Sequence, residues 1–481
     1  MVEKFPYTIS KIRRILNSCG DSPVSLSDIE FTSITNSSLE ILPGGLFVPL
    51  IAERDGHDFI LDALNKNAAG FLCNKDHPII QKIDKKYHDK MILVEDTWKA
   101  LADLARFHRN RFAPFIIGIT GSSGKTTTKE LLGYAISHFG DDRVVITEKN
   151  YNNEIGLPFT LFRITDRTEI VVLEMGMNHR GEIARLTSIA GLHWAMITNV
   201  GSAHIENLKS PKNIALEKSD IIRNSKPDSR LYYPEDILFP KIIQKSARKQ
   251  YSLTKPWSLK SIGITIKSKH KNGYKLSYKD IDFDWNQPGD KILSNLIGVF
   301  TVAIDLGIDP AILIENIQKY QPVGGRFKLI GSFYQLIDDS YNANPESMMS
   351  SIEAAKQIAD GKNIYCVLGD MKELGNYSKS YHIDLGKFIG KLGISGLFTF
   401  GRDSRWIGDG FNHITKQLGT STPDRIISKH YQDSDDDIQE IIQNIQDFVG
   451  QGSYILLKGS RSMRMERIVE KILAATESKN E

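Results

Sequence analysis

Cysteine, net charge and long apolar runs are all scarce in this chain, and each scarcity closes off a class of protein. The three cysteines among 481 residues, Cys19, Cys73 and Cys366, stand far apart with no Cys-x-x-Cys pair. That excludes a cysteine-built metal cluster and fits reduced thiols better than a disulfide framework. Lys plus Arg number 61 against 58 Asp plus Glu, a net charge of +3, so no global field argues for nucleic acid, while local basic pockets for phosphates stay open. No stretch approaches the roughly 18 uninterrupted apolar residues of a membrane span, and the opening Met-Val-Glu-Lys-Phe-Pro-Tyr lacks the charged-then-apolar pattern of a signal peptide. Repeats and low-complexity segments are absent as well. The expectation is a cytoplasmic protein with no nucleic-acid partner and no membrane span.

What is present is an ordinary globular composition, 41% hydrophobic and 25% charged, with length for about three domains. The most informative stretch is Gly118-Ile119-Thr120-Gly121-Ser122-Ser123-Gly124-Lys125-Thr126-Thr127-Thr128-Lys129-Glu130, directly after the apolar Phe115-Ile116-Ile117. It reads as a strand, a glycine-rich turn and a helix start. Such a turn aims backbone N–H groups and the positive end of a helix at an anion, with Lys125 in reach of terminal phosphates and the Thr126 hydroxyl placed to hold Mg²⁺. The usual phosphate-loop spacing would put a glycine where Ile119 stands; the flanking strand and helix nonetheless favour ATP binding over a plain glycine turn with a solvated lysine.

The apolar pattern divides the chain into a small α/β N-terminal domain (1–110), a central parallel-sheet domain holding the phosphate loop (111–322) and a C-terminal Rossmann-like domain (323–481). In the first, Gly45 to Leu50 and Met91 to Val94 read as strands and Asp58 to Ala69 as a helix; the basic stretch Arg106 to Pro114 reads as irregular and marks the boundary. In the second, Val144 to Thr147, Glu169 to Leu173 and Trp194 to Val200 read as buried parallel strands of a doubly wound sheet. Residues 261–285 alternate around Asn272-Gly273, a hairpin signal. In the third, strands are expected at Tyr334 to Asp338, Asn363 to Leu368, Gly396 to Phe400, Arg425 to Ser428 and Tyr454 to Leu457, with no Gly-x-Gly-x-x-Gly among their turns. Asp433 to Asp437 reads as a solvated loop and helix start.

Ligands of open α/β sheets sit beyond the carboxyl ends of strands, and the cradle, Glu174, Asn199 and His204 all fall at such ends. A carboxylate, an imidazole and the Thr126 hydroxyl around a triphosphate form a credible Mg²⁺ set, although imidazole is the less usual partner of that cation. Taken singly, His204 reads equally as a surface or capping histidine and Glu174 as a strand-end charge. Ser210-Pro211 is a helix start, and Ile214, Lys218, Ile221 and Ile222 follow at helical spacing, so Lys218 sits within an apolar stripe. Burial would lower its pKa and free a neutral amine for nucleophilic attack or modification; the alternative is a stem along the core with the charge in water.

Six motifs, in order, resemble the Mur ligase family: the cradle, Asn150-Tyr151-Asn152-Asn153-Glu154-Ile155-Gly156-Leu157-Pro158, Glu174-Met175-Gly176-Met177-Asn178-His179, Asn199-Val200-Gly201-Ser202-Ala203-His204, Asp338-Asp339-Ser340-Tyr341-Asn342-Ala343-Asn344-Pro345 and Lys458-Gly459-Ser460-Arg461-Ser462. The similarity extends forward to Leu42-Pro43-Gly44-Gly45-Leu46-Phe47 and Asp55-Gly56-His57-Asp58-Phe59. Within the family it points to the branch that joins D-alanyl-D-alanine to UDP-N-acetylmuramoyl-tripeptide through an acyl phosphate, a cytoplasmic step of peptidoglycan synthesis. The resemblance implies ATP contacts at Gly121, Ser122, Ser123, Gly124, Lys125, Thr126, Thr127, Asn295, Arg326, Asp339 and Asn344. It implies Mg²⁺ at Thr126, Glu174 and His204, and a carbamylated Lys218 as a further metal ligand, with Lys125, Lys218, Glu174 and His204 as the catalytic set. Asn152 or Asn153 is implied near the reacting carboxylate, with Ser37 and His57 among the residues of the UDP-binding domain. A monomer is expected.

The chain departs from the family where relatives commonly read Gly-x-His-Asn-x-x-Asn, having Gly289-Asp290-Lys291-Ile292-Leu293-Ser294-Asn295 instead, so the adenine contacts are expected to be rearranged. Asn36-Ser37-Ser38 stands where Asp-Ser-Arg is often seen, so the UDP contacts are expected to differ in detail there, with Ser37 kept as a substrate-binding residue. Rival readings are a sibling ligase of the same pathway, disfavoured by the lack of Asp-Asn-Pro-Arg after the C-terminal strands, a folylpolyglutamate synthase-like ligase, a phosphate-loop ATPase or kinase, and a nucleotide-gated interaction protein.

Overall fold

Four sheets organise the chain in the computed structural model, which describes residues 2–17, 30–250, 252–331, 333–418 and 427–477. Cys19 and positions 425–426 of the expected strand lie outside the described residues. The first sheet orders Val2–Phe5, Phe31–Thr35, Leu46–Phe47, Gly70–Asn74 and Met91–Val94, antiparallel at the first pair and parallel thereafter. The strand expected over Gly45 to Leu50 pairs only at Leu46–Phe47, because Pro49 two residues on has no N–H to extend a ladder. The helix expected from Asp58 opens as a 3₁₀ turn at Gly56–Phe59, capped by the Asp55 side chain, and runs as α-helix over Ile60–Asn65.

The central sheet is parallel throughout, in the order Leu253–Trp257, Arg230–Pro234, Trp194–Ile197, Phe115–Thr120, Ile170–Glu174, Val144–Ile146. Its cradle strand, the first of this sheet in sequence, lies inside it between Ile170–Glu174 and Trp194–Ile197, with strands added on both sides, the switch point where open sheets place their ligands. Register pairs Ile119 with both Glu174 and Met196, so the cradle, Glu174 and the 198–204 loop leave the sheet at one edge. The stretch 261–285 forms three antiparallel strands, Ile264–His270, Gly273–Tyr278 and Ile281–Trp285, with the expected Asn272-Gly273 turn between the first two.

The C-terminal sheet orders Lys328–Ile330, Gln335–Asp338, Tyr454–Lys458, Ile364–Gly369, Gly396–Phe400 and Ile427–Tyr431, parallel except for its first strand. Two of its helices begin on side-chain caps. Asn344 and Ser347 cap each other before Pro345–Ala359, and Ser434 caps Asp435–Phe448, whose first turn holds Asp435, Asp436 and Asp437 against the positive helix end.

One expectation is corrected. Arg106 to Pro114 is not an irregular linker: helix Thr97–Phe112 runs through it and stops on Ala113 at φ 47°. Its Arg109 and Arg111 occupy the last turn, where cations suit the negative end of the helix dipole. Composition that reads as a break is here a helix terminus.

Candidate nucleotide and acyl-transfer site

A cleft of about 970 Å³ opens at the carboxyl edge of the central sheet and is walled on the far side by the C-terminal unit. Ser122 to Thr127 line its floor, Glu174, Asn152, Asn153, Asn199 and His204 its sides, and Arg326, Asp339, Asn344, Lys458 and Arg461 the opposite wall. The residues expected to act on a nucleotide therefore converge, drawn from sequence positions more than two hundred apart.

The cradle owes its shape to bonds with the 198–201 loop. Ser123 N–H donates to Asn199 Oδ1 at 2.9 Å, Thr198 Oγ1 to Ser123 O at 2.6 Å, and Gly201 N–H to Ser122 Oγ at 2.9 Å. Gly124 begins the helix Lys125–Ala135 at φ 78°, and a Cβ there would lie 2.8 Å from Asn295 Nδ2. Both the turn and the close approach of Asn295 require glycine.

Lys125 Nζ folds back onto Gly121 O at 2.8 Å. Burial lowers its pKa, with Glu174 and Glu373 raising it and Arg326 lowering it further. Glu174 is 3% exposed, and its two oxygens accept from Thr126 Oγ1 and Asn152 Nδ2, each at 2.8 Å. Asn153 does something different: its side chain accepts from Ile155 N–H and Gly156 N–H, at 3.2 and 2.9 Å, and shapes the turn into the next helix. His204 caps a short helix at φ 63°, and its Nδ1 lies against the Glu373 carboxylate.

Lys218 lies on helix Pro211–Ser219, where Ser210 accepts from Asn213 N–H as the expected N-cap. Ile214, Ile221 and Ile222 are fully buried and Lys218 is 1% exposed, so the lysine does not reach water. Burial, reinforced by the Lys125 ammonium and opposed by Glu217, pushes its pKa well below that of an ordinary lysine. The unmodified amine is therefore disposed to be neutral.

Across the cleft, the Arg326 guanidinium stacks 4.0 Å from the Tyr341 ring centroid. Asp339 accepts from Phe327 N–H at 3.1 Å and pairs with Lys458 Nζ at 2.6 Å. Asn344 Nδ2 reaches Ser122 O at 3.1 Å, joining the C-terminal wall to the cradle.

Two expected substrate residues lie apart from this cleft. Ser37 is half-buried in the turn after Phe31–Thr35, its N–H bonded to Thr35 Oγ1. His57 is fully buried, with Nδ1 2.7 Å from Asp55 Oδ1 and Nε2 accepting from Asn74 N–H at 3.2 Å. His77 completes this group, accepting from Ile79 N–H at Nδ1 and meeting Asp55 Oδ2 at 3.0 Å through Nε2. Asp55, His57 and His77 are close enough to hold a metal ion, but their protons speak against it. Backbone N–H groups fix the lone pairs of both rings on the sides away from Asp55, so the nitrogens facing the carboxylate carry hydrogen. The group is a hydrogen-bonded clamp.

Sequence reasoning missed Glu346 and Glu373, and it quoted Ser202 and Lys458 within motifs without giving either a role. Lys458 had a readable signal, a charge at the end of the buried strand Tyr454–Lys458, the same signal that marked Glu174. The two glutamates had none, since their partners lie on another unit.

A Mur ligase middle-domain model matches residues 119–303, and a model of the Mur ligase glutamate ligase domain matches residues 325–461. The chain is 32% identical over 434 residues to the UDP-N-acetylmuramoyl-tripeptide--D-alanyl-D-alanine ligase of Bacillus subtilis, covering 89% of this chain and 90% of that one. Among solved structures it resembles MurF from Acinetobacter baumannii, with a TM-score of 0.85, 25% identity, and 98% and 100% of the two chains covered. It also resembles MurF ligase from Thermotoga maritima in complex with ADP, with a TM-score of 0.77, 29% identity, and 93% and 98% covered.

Proposed function

This chain belongs to the Mur ligase family, and from that premise we propose that it joins D-alanyl-D-alanine to UDP-N-acetylmuramoyl-tripeptide with conversion of ATP to ADP and phosphate. The observation that carries the reading is the shared Glu174 carboxylate, which binds the cradle through Thr126 and the opposite loop through Asn152. One buried anion thus ties the phosphate side of the cleft to the side where a carboxylate substrate would lie.

The tripeptide carboxylate attacks the γ-phosphorus of ATP and ADP leaves, giving an acyl phosphate. The amine of D-alanyl-D-alanine then attacks the acyl carbon, an amide bond forms, and phosphate departs with loss of the amine proton. Lys125 and the N–H groups at the start of Lys125–Ala135 offset the charge that develops on the phosphoryl oxygens. Arg326, held over Tyr341, and the Asp339–Lys458 pair form the nucleotide wall contributed by the C-terminal unit. Asn152, fixed by Glu174, is placed to orient the acyl group. Asn295 lies against Gly124 and lines the same cleft, in keeping with a role at the base.

The donors around Glu174 suit a hard cation: a buried carboxylate and a hydroxyl, with oxygen as the ligand atom. Thr126, Glu174, His204 and Lys218 once carbamylated would hold Mg²⁺, which supplies positive charge at the phosphate oxygens. An amine as buried as Lys218 is no ligand for Mg²⁺, whereas its carbamate offers anionic oxygens.

Incubation of ATP and UDP-N-acetylmuramoyl-tripeptide with and without the dipeptide tests the reading. The expected result is a pentapeptide product by mass with one ADP per amide formed. Equal ADP release in both reactions, with no gain in mass, would overturn it.

A further inference from the structure

The C-terminal unit reaches beyond the nucleotide wall and grips the loop that carries Asn199 and His204. Glu346, half-buried in the first turn of Pro345–Ala359, accepts from Ser202 N–H at 2.8 Å and from Ser202 Oγ at 3.1 Å. Ser202 is 1% exposed, so this carboxylate is the partner of a polar group cut off from water, and such a bond is costly to leave unmade. The fit is close as well: a Cβ on Gly201 would lie 2.6 Å from Glu346 Cδ.

The gripped loop is bonded in turn to the cradle, through Gly201 N–H to Ser122 Oγ and through Asn199 to Ser123. Beside it, Glu373 touches His204 Nδ1 and accepts through its carbonyl from Glu206 N–H at 3.0 Å. Tyr377 adds its hydroxyl to Lys209 O at 3.3 Å. The contacts of Glu346, Glu373 and Tyr377 all cross from the C-terminal unit to the central one, and Glu346 holds the loop at Ser202, next to the residue bonded to the cradle.

We propose that Glu346 is a positioning residue: its bond to Ser202 couples closure of the C-terminal unit to the shape of the 199–204 loop, so that the acyl phosphate forms only in a cleft already sealed from water. The inference rests on the ligase reading above and adds to it the residue that transmits closure. An acyl phosphate formed in an unlatched cleft is lost to hydrolysis, which returns the tripeptide carboxylate and phosphate and leaves ADP without amide.

Two variants attack the contact from opposite sides. Glu346→Ala removes the carboxylate, and Gly201→Ala places a methyl group where the carboxylate lies. Each is compared with the unmodified protein by small-angle scattering without ligands, by thermal unfolding, and by the ratio of ADP to amide with both substrates and ATP present. The expected result is a larger radius of gyration in both variants and a ratio rising from one to about two or more, with Glu346→Gln, which still accepts from Ser202 N–H, falling between. A merely structural role would lower turnover and leave the ratio at one. The proposal is overturned if either variant, folded by its unfolding transition, keeps both the radius and the ratio of the unmodified protein, or if only one of the two quantities moves. Absence of amide with the unmodified protein would instead sink the ligase reading, and the scattering comparison would still decide whether Glu346 holds the units closed.

Discussion

Lys218 shows how much a single side chain can owe to its neighbours. Helical spacing places it on an apolar stripe, but spacing cannot say whether the ammonium escapes to water; 1% exposure beside the Lys125 charge settles that it does not. A neutral buried amine reacts with dissolved CO₂, and the carbamate would replace it with an anion near the Lys125 charge. Addition of ¹³C-bicarbonate should therefore give a carbamate carbon resonance in the unmodified protein that is absent from Lys218→Ala. The same variant should lose at least about 100-fold in kcat, close to 2.7 kcal/mol of barrier. An identical spectrum from both proteins, or near-normal turnover in the variant, would return this lysine to a packing role.

Helix Thr97–Phe112 is the element on which the N-terminal unit meets the central one. Its buried stripe of Ala100, Leu101, Leu104, Ala105 and His108 faces inward, and His108 joins two distant segments. Tyr7 OH donates to Nδ1 at 2.9 Å and Nε2–H donates to Ile164 O at 2.8 Å. This bonding needs the neutral ring, and burial, opposed by the bond to Ile164 O and aided by the Arg111 charge, brings the pKa down to about 4. Because the folded value lies below the unfolded one, the stabilisation is complete above the ordinary imidazole value near 6.5 and is lost as pH falls through about 4. Its size is about 3 kcal/mol. Urea unfolding of the unmodified protein should weaken across that window, and His108→Gln should show a shallower decline. An unchanged acid limb in the variant would remove His108 as the cause.

At the scale of the whole molecule, the cleft is made by two units, and its chemistry depends on their contact. Hydrogen exchange in the presence of a non-hydrolysable ATP analogue and the UDP-linked tripeptide should slow together at residues 121–127 and 199–204 of the central unit and 342–346 and 373–377 of the C-terminal one. The contacts of Asn344 with Ser122, Glu346 with Ser202 and Glu373 with His204 join these segments. Protection confined to 121–127 would mean that nucleotide binding leaves the C-terminal unit free.

The sequence by itself determined the features whose physics is local. The cradle follows from glycines, an apolar strand and a helix start within sixteen residues; the Ser210 and Asn344 caps and the Asn272-Gly273 turn follow from side chains bonding their own backbone. The alternation of strands and helices was legible for the same reason, although the basic helix end at Arg109 and Arg111 passed for a linker because charge at a helix terminus resembles charge in a loop. Only the tertiary structure decided which distant groups meet. It withdrew His57 into a clamp with Asp55, Asn74 and His77, turned Asn153 to shaping a turn, and brought Glu346 and Glu373 onto a loop about 150 residues before them. A carboxylate on a helix start looks like any other in the sequence, since the chain records a residue's neighbours along the backbone and not the partner that closure of a second unit sets against it.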